Sequence, residues 1–166
     1  MEITVRSLVE ADIDALADVF ADWPKNRELF VRYAALAATG AKDVVVATVD
    51  SAIVGYLTID WTSHYPAFAT AGIPEIVDFN VIAPARRHGI GALLMDEAER
   101  RIAERSEIAG IGVGMYADYG SAQRMYVERG YVPDGAGLVV DGVAPVPGST
   151  IVLDDAPALM FTKPVR

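Results

Sequence analysis

An α+β domain, with helices packed on a mixed sheet, is the fold class this sequence predicts, and three observations predict it. Segments of period two and period 3.6 follow one another in the order β-α-α-β-β-β-α-β-α-β-β. The 166 residues are 52% hydrophobic, which is enough apolar material for one core and the size of a single domain over residues 1–166. No repeat, linker or low-complexity tract interrupts the chain.

Ile3 to Leu8 alternate like a strand, and Ile13, Leu16, Ala17 and Phe20 then recur at helical spacing, with Glu10 and Asp12 near the positive helix end. Trp23-Pro24 ends that helix. A second helix is predicted over about 25–39, closed by Gly40, a residue that accepts a left-handed conformation without strain. Two strands follow, Asp43 to Val49 and Ala52 to Trp61, joined by Asp50-Ser51 as a tight hairpin. Thr62 to Ile73 shows no clear period and contains Pro66 and Gly72, so it is expected to be a loop. A strand from Glu75 to Ile82 runs into a glycine turn. Ile90, Leu94, Ala98 and Ile102 then form the ridge of a long helix, on which Asp96 and Glu97 stand four residues before Arg100 and Arg101. A strand from Ile108 to Tyr116, a short helix from Ser121 to Arg129 stopped by Gly130, and strands with turns at Asp141-Gly142 and Pro147-Gly148 complete the chain.

Composition narrows the chemistry. A net charge of -9 argues against a nucleic-acid partner and mildly favours cationic ones such as polyamines or amino sugars. With no cysteine and only two histidines, far apart, the chain has no disulfide framework, and no metal site is expected. The first residues, MEITVRSLVE, lack the pattern of a secretory signal, and charges interrupt every apolar run short of a bilayer's width. The expectation is a soluble, cytoplasmic protein without a membrane partner. Its chemistry must come from backbone, carboxylates, hydroxyls and arginine.

The segment from Phe79 to Ala92 reads FNVIAPARRHGIGA, a strand delivering the chain into glycines that open a helix. Gly89 and Gly91 let successive backbone N–H groups approach a phosphate, and the helix dipole adds partial positive charge at the same place. Arg86 and Arg87 supply formal charge beside it. No Lys-Ser/Thr pair follows as in a P-loop, and no third glycine as in a dinucleotide fold.

Arg86-x-x-Gly89-x-Gly91, preceded by Phe79-Asn80-Val81, resembles the pyrophosphate-binding motif of the GNAT superfamily of N-acetyltransferases. Further on, Ala122-Gln123-Arg124-Met125-Tyr126-Val127-Glu128-Arg129-Gly130-Tyr131 is similar to that superfamily's second signature. With the element order, the resemblance extends to about Pro133. It implies a mostly antiparallel central sheet flanked by helices on both faces, acetyl-coenzyme A as acyl donor, and an amine acceptor. It implies that the backbone of Phe79, Asn80 and Val81 pairs with the pantetheine arm, and that Arg86, Arg87, His88, Gly89, Ile90, Gly91 and Ala92 surround the pyrophosphate. It implies an N–H near Val81 aimed at the thioester oxygen, and Tyr126 as the proton donor to the departing thiolate, a role suited to a phenol that stays protonated at neutral pH. Where the family often carries a cofactor-contacting Asn, this chain has Tyr119.

Two carboxylates are candidates for the general base that must deprotonate an ammonium, Glu75 and Asp78. Glu75 matches the glutamate base of the histone-acetylating branch, and Asp78 an acidic position of several small-molecule branches. Period-two alternation puts them on opposite faces of a regular strand, so both reach one cleft only if a bulge intervenes. Acceptor specificity is expected from 23–33 and 61–73, including His64, Tyr65 and Phe68. The segment 135–166 is long for a plain hairpin and is expected to close the acceptor cleft or to serve an interface. Related proteins are commonly homodimers. The leading expectation is transfer of acetyl to a primary amine of a small molecule by direct attack. The alternatives are a protein N-terminal or lysine acceptor, and a catalytically silent acyl-coenzyme A binding module.

Overall fold

A computed structural model describes residues 1–166. The chain divides into two compact units, Met1–Trp61 with Ile76–Arg101, and Thr62–Glu75 with Ile102–Arg166. No helix is long and apolar enough to cross a membrane.

The first unit carries β1 (Ile3–Ser7), α1 (Ile13–Val19), α2 (Arg27–Ala38), β2 (Lys42–Val49), β3 (Ala52–Asp60), β4 (Glu75–Val81, from Ile76 on) and most of α4 (Ile90–Arg105). Its strands run in the order β1-β2-β3-β4. β1 and β2 pair antiparallel with Ile3 opposite Val49, and β2 and β3 with Lys42 opposite Asp60. Asp50 and Ser51 both take positive φ, 47° and 70°, the mirror-image turn that matches the twist of paired strands. Asn26 accepts the N–H of Leu29 at 3.0 Å and so caps α2. On the inner faces of α1 and α2, Ile13, Leu16 and Phe30, with Phe20 just beyond α1, pack with Val46, Ile53 and Tyr56. The rings of Phe20 and Phe30 meet Tyr56 edge-on at 4.9 and 5.4 Å. The expected ridge of α4 is buried along its length, at Ile90, Leu94, Ala98 and Ile102.

The second unit carries α3 (Pro66–Ala71), β5 (Ile108–Gly114), α5 (Gly120–Glu128), β6 (Val132–Val140) and β7 (Pro157–Pro164), with strand order β5-β7-β6 and antiparallel pairing throughout. The helix α3 corrects the expectation of a plain loop over 62–73. Pro66 opens it and Gly72, with φ 68°, closes it, while Phe68 turns inward to Tyr65, Val139 and Met160. β5 is bare on one face. Gly110, Gly112 and Gly114 alternate along it, and a Cβ on each would run into Phe68, Met160 and Tyr119 respectively.

Candidate active site

β4 leaves the sheet through a short 3-10 turn, Ala83–Ala85, and enters α4 at Ile90. Between them Arg87 (φ 64°) and Gly89 (φ 80°) are both left-handed. That geometry turns successive N–H groups toward one side, and a non-glycine residue pays strain of roughly 1–2 kcal/mol to adopt it. The first helical bond of α4 runs from the Leu93 N–H to the Gly89 carbonyl, at 3.1 Å, so the N–H groups of Ile90, Gly91 and Ala92 lie before it. A Cβ on Gly89 would meet nothing within 4 Å. A left-handed turn, a helix N-terminus whose N–H groups precede its first hydrogen bond, and open room suit a bound diphosphate, and the residues present fit it.

Arg86 and Arg87 differ in what they do there. Arg86 donates from Nε to the Val81 carbonyl at 2.8 Å, and its guanidinium lies 5.8 Å from the Trp23 ring. It braces the end of β4. Arg87 and His88 are exposed, and their side chains make no hydrogen bond or ion pair within the protein.

Phe79, Asn80 and Val81 are half-buried. The residue before them, Asp78, has φ 51°, so β4 is not a regular strand at this point. β3 makes room for the irregularity at Gly55, where a Cβ would lie 2.9 Å from the Asn80 carbonyl oxygen. The Asp78 carboxylate accepts from the Lys25 ammonium and from Asn80 Nδ2 (2.9 Å) on Oδ1, and from the Tyr33 (2.8 Å) and Tyr56 (2.6 Å) hydroxyls on Oδ2. Burial alone would raise its pKa. Lys25 and the tyrosine hydroxyls outweigh that and hold the carboxyl below its ordinary value. Burial, with Asp78 adding to it, raises the pKa of both Tyr33 and Tyr56, so each remains a donor.

Glu75 has a different setting. It is half-buried and accepts the Ser63 hydroxyl on Oε2, while Ser63 itself accepts the Tyr65 N–H at 2.9 Å. Ser63 is buried, so the carboxylate is oriented from a buried turn.

Tyr126, on α5, is buried with its ring 6.0 Å from that of Tyr131. Its hydroxyl makes no hydrogen bond within the protein, yet it is not sealed from solvent, because no fully buried polar side-chain atom lacks a partner. Burial raises its pKa, so it stays protonated. The Tyr119 ring packs against Gly114, and its hydroxyl donates to Asp155 Oδ1 at 2.7 Å, which also accepts from Tyr116 at 2.6 Å. Of the residues considered for the acceptor, Trp23 and His64 are exposed, whereas Tyr65 and Phe68 are core. Lys25, Tyr33 and Ser63 fall in the segments expected to shape acceptor specificity, but their ties to Asp78 and Glu75, and that of Tyr56, were not legible from sequence, since each acts on a carboxylate 12 to 53 residues away.

A family model described as an acetyltransferase (GNAT) domain matches residues 19–149. A search of the curated proteins gives no match. Among solved structures, an N-acetyltransferase from Staphylococcus aureus Mu50 superposes with TM-score 0.75 at 12% identity, covering 100% of both chains. The ribosomal-protein-alanine N-acetyltransferase from Brucella melitensis gives 0.72 at 19% identity, over 97% of this chain and 99% of that one. The paiA N-acetyltransferase from Thermoplasma acidophilum, in complex with coenzyme A, gives 0.68 at 14% identity, over 99% of each chain. The fold is the α+β, mostly antiparallel sheet with helices shared by these proteins. The chain belongs to the GNAT acetyltransferases and is an acyltransferase.

Proposed function

We propose that this protein transfers the acetyl group of acetyl-coenzyme A to a primary amine of a small molecule by direct attack, without a covalent enzyme intermediate. The observation that carries the reading is the open turn at Arg87 and Gly89, where left-handed backbone and a helix N-terminus converge on empty room. The paiA protein bound to coenzyme A supports the choice of donor by likeness of fold.

When bound, coenzyme A supplies the acyl group as an activated thioester. The N–H groups from Arg87 to Ala92 hold its diphosphate, and Arg87 adds the formal charge that an anion needs near a protein of net charge -9. The backbone of Phe79 to Val81 pairs with the pantetheine arm as an added strand. Glu75, oriented by Ser63, takes the proton from the acceptor ammonium. Tyr126, whose hydroxyl has no internal partner, gives a proton to the departing thiolate. We place the enzyme in the cytoplasm, where acetyl-coenzyme A and free amines occur together.

The test is an acceptor panel. Purified protein is incubated with acetyl-coenzyme A and polyamines, amino sugars, lysine-containing peptides or peptides with free N-termini, and thiol release is followed. Release with small amines alone is the expected result. Release with peptides alone establishes the protein-modifying reading, and binding without release for any amine establishes a silent module.

A further inference from the structure

We propose that Asp78 is a positioning residue: its carboxylate, clamped by Lys25, Tyr33, Tyr56 and Asn80, holds the left-handed bend in β4 that presents the backbone of Phe79 to Val81. The proposal rests on the reading that this backbone receives coenzyme A.

A left-handed conformation inside a strand is unfavourable for any residue with a Cβ, and aspartate and asparagine are among the few that visit it. Without a restraint, β4 would relax to regular alternation and turn the next side chains to the other face. The restraint is visible. Lys25 reaches Asp78 from the turn between α1 and α2, Tyr33 from α2, Tyr56 from β3 and Asn80 from β4 itself. Independently, Gly55 leaves β3 bare where the bend presses, since a Cβ there would meet the Asn80 oxygen at 2.9 Å and Val81 Cγ2 at 3.2 Å.

The same geometry speaks against Asp78 as the base. A carboxylate offers about four lone-pair sites, and four donors fill them, two on each oxygen. An arriving ammonium would find no acceptor site unless it displaced one of these donors. The ionisable groups facing Asp78 are Lys25, Tyr33 and Tyr56. Behind them Lys42 lies 4.8 Å from the Tyr33 ring and pairs with Asp60.

The test compares Asp78→Asn, Asp78→Gly and Asp78→Ala with Lys25→Met. Three quantities are read: hydrogen exchange at amides 79–81 in the free protein, acetyl-coenzyme A affinity, and the pH profile of kcat/KM. Asparagine keeps both the left-handed preference and an acceptor, glycine keeps only the backbone freedom, and alanine keeps neither. Turnover should therefore fall in the order Asn, Gly, Ala, with the alanine variant down roughly tenfold or more. The acid limb should keep its midpoint in the asparagine variant. Lys25→Met removes no base, yet it should speed exchange at 79–81 and lower turnover severalfold. Equal losses of about 10²-fold in Asn and Gly, with the acid limb gone and exchange unchanged, would make Asp78 the base and overturn the proposal. If the alanine variant does not fold, the other three decide. Wild-type protein with no affinity for coenzyme A defeats the cofactor reading alone. In that case faster exchange in Asp78→Gly still supports the clamp, and unchanged exchange removes it.

Discussion

Two of the strands that hand the chain to a helix, β4 and β5, do so through junctions built in opposite ways. Where β4 meets α4, Arg87 and Gly89 are left-handed, the stretch from Arg86 to Gly89 is exposed, and nothing approaches the Cβ position of Gly89 within 4 Å. Where β5 meets α5, the junction is closed. The Tyr119 ring covers Gly114, the Tyr116 and Tyr119 hydroxyls share Asp155, and Gln123 Nε2 donates to the Gly114 carbonyl at 2.8 Å. Glycine serves both junctions for different reasons. Gly89 is needed for its backbone angle and the room above it, whereas Gly114 is needed because an aromatic ring already fills that room. Emptiness with donors turned toward it is what a ligand can use, and a sealed contact is what a fold uses.

The largest effect expected from breaking this contrast is at the open junction. Gly89→Val places a β-branched residue at φ 80° and fills the space above it. Acetyl-coenzyme A affinity measured by calorimetry should fall about 10²-fold, or about 2.7 kcal/mol, while circular dichroism still reports a folded protein. Unchanged affinity would show that the turn holds no diphosphate.

Next in size is the helix beyond the closed junction. Tyr126→Phe removes a hydroxyl that bonds to nothing in the protein, so stability should change by less than about 0.5 kcal/mol. Turnover should drop roughly 10²-fold with acetyl-coenzyme A affinity unchanged. A variant with full kcat would take Tyr126 out of the chemistry and leave it a core residue.

The closed junction itself should respond in stability and not in binding. Gly114→Ala drives a methyl group into the Tyr119 ring, and relief requires moving a side chain tied to Asp155. Overpacking of this kind costs about 1–3 kcal/mol, read as a lower Tm, with coenzyme A affinity unchanged. If affinity fell as far as in Gly89→Val, Tyr119 would belong with the cofactor contacts that the resemblance assigned to its position.

These junctions also mark what could be read from the sequence. The left-handed turn into α4 was legible because it is local, with Arg86 to Ala92 forming one run of sequence. The α4 ridge and the Asp50-Ser51 hairpin were legible for the same local reason, since period and turn chemistry are contiguous. The helix α3 was missed because six residues are too few to display a 3.6 period, although Pro66 and Gly72 stand at its two ends. The bend at Asp78 was raised only as a condition on strict alternation, because the donors that hold it lie up to 53 residues away. Gly110, Gly112 and Gly114 were visible at period two. Their meaning depends on Phe68, Met160 and Tyr119, which only the folded chain brings to them.

The smallest effect expected separates the surfaces of the two helices. On α4, Glu97 accepts from Arg100 at 2.8 Å and from Arg101 at 2.7 Å, and Arg101 continues to Asp43 at 3.0 Å. On α5 the pair between Arg124 and Glu128 is isolated and solvent-exposed. The Arg100 hydrogen bond, joined by Arg101, holds the Glu97 carboxyl down to about 2 from an ordinary 4.5. A depressed pKa stabilises the folded chain above pH 4.5, and that contribution is lost as pH falls from there toward 2. Glu97→Gln should therefore cost about 0.5–1 kcal/mol at pH 7, screened as it is by solvent, and its unfolding curve should converge on that of the parent near pH 2. Glu128→Gln should leave Tm unchanged at either pH. Equal responses of the two variants would mean that the Arg101–Asp43 link adds nothing, and that α4 is charged on its surface for solubility alone.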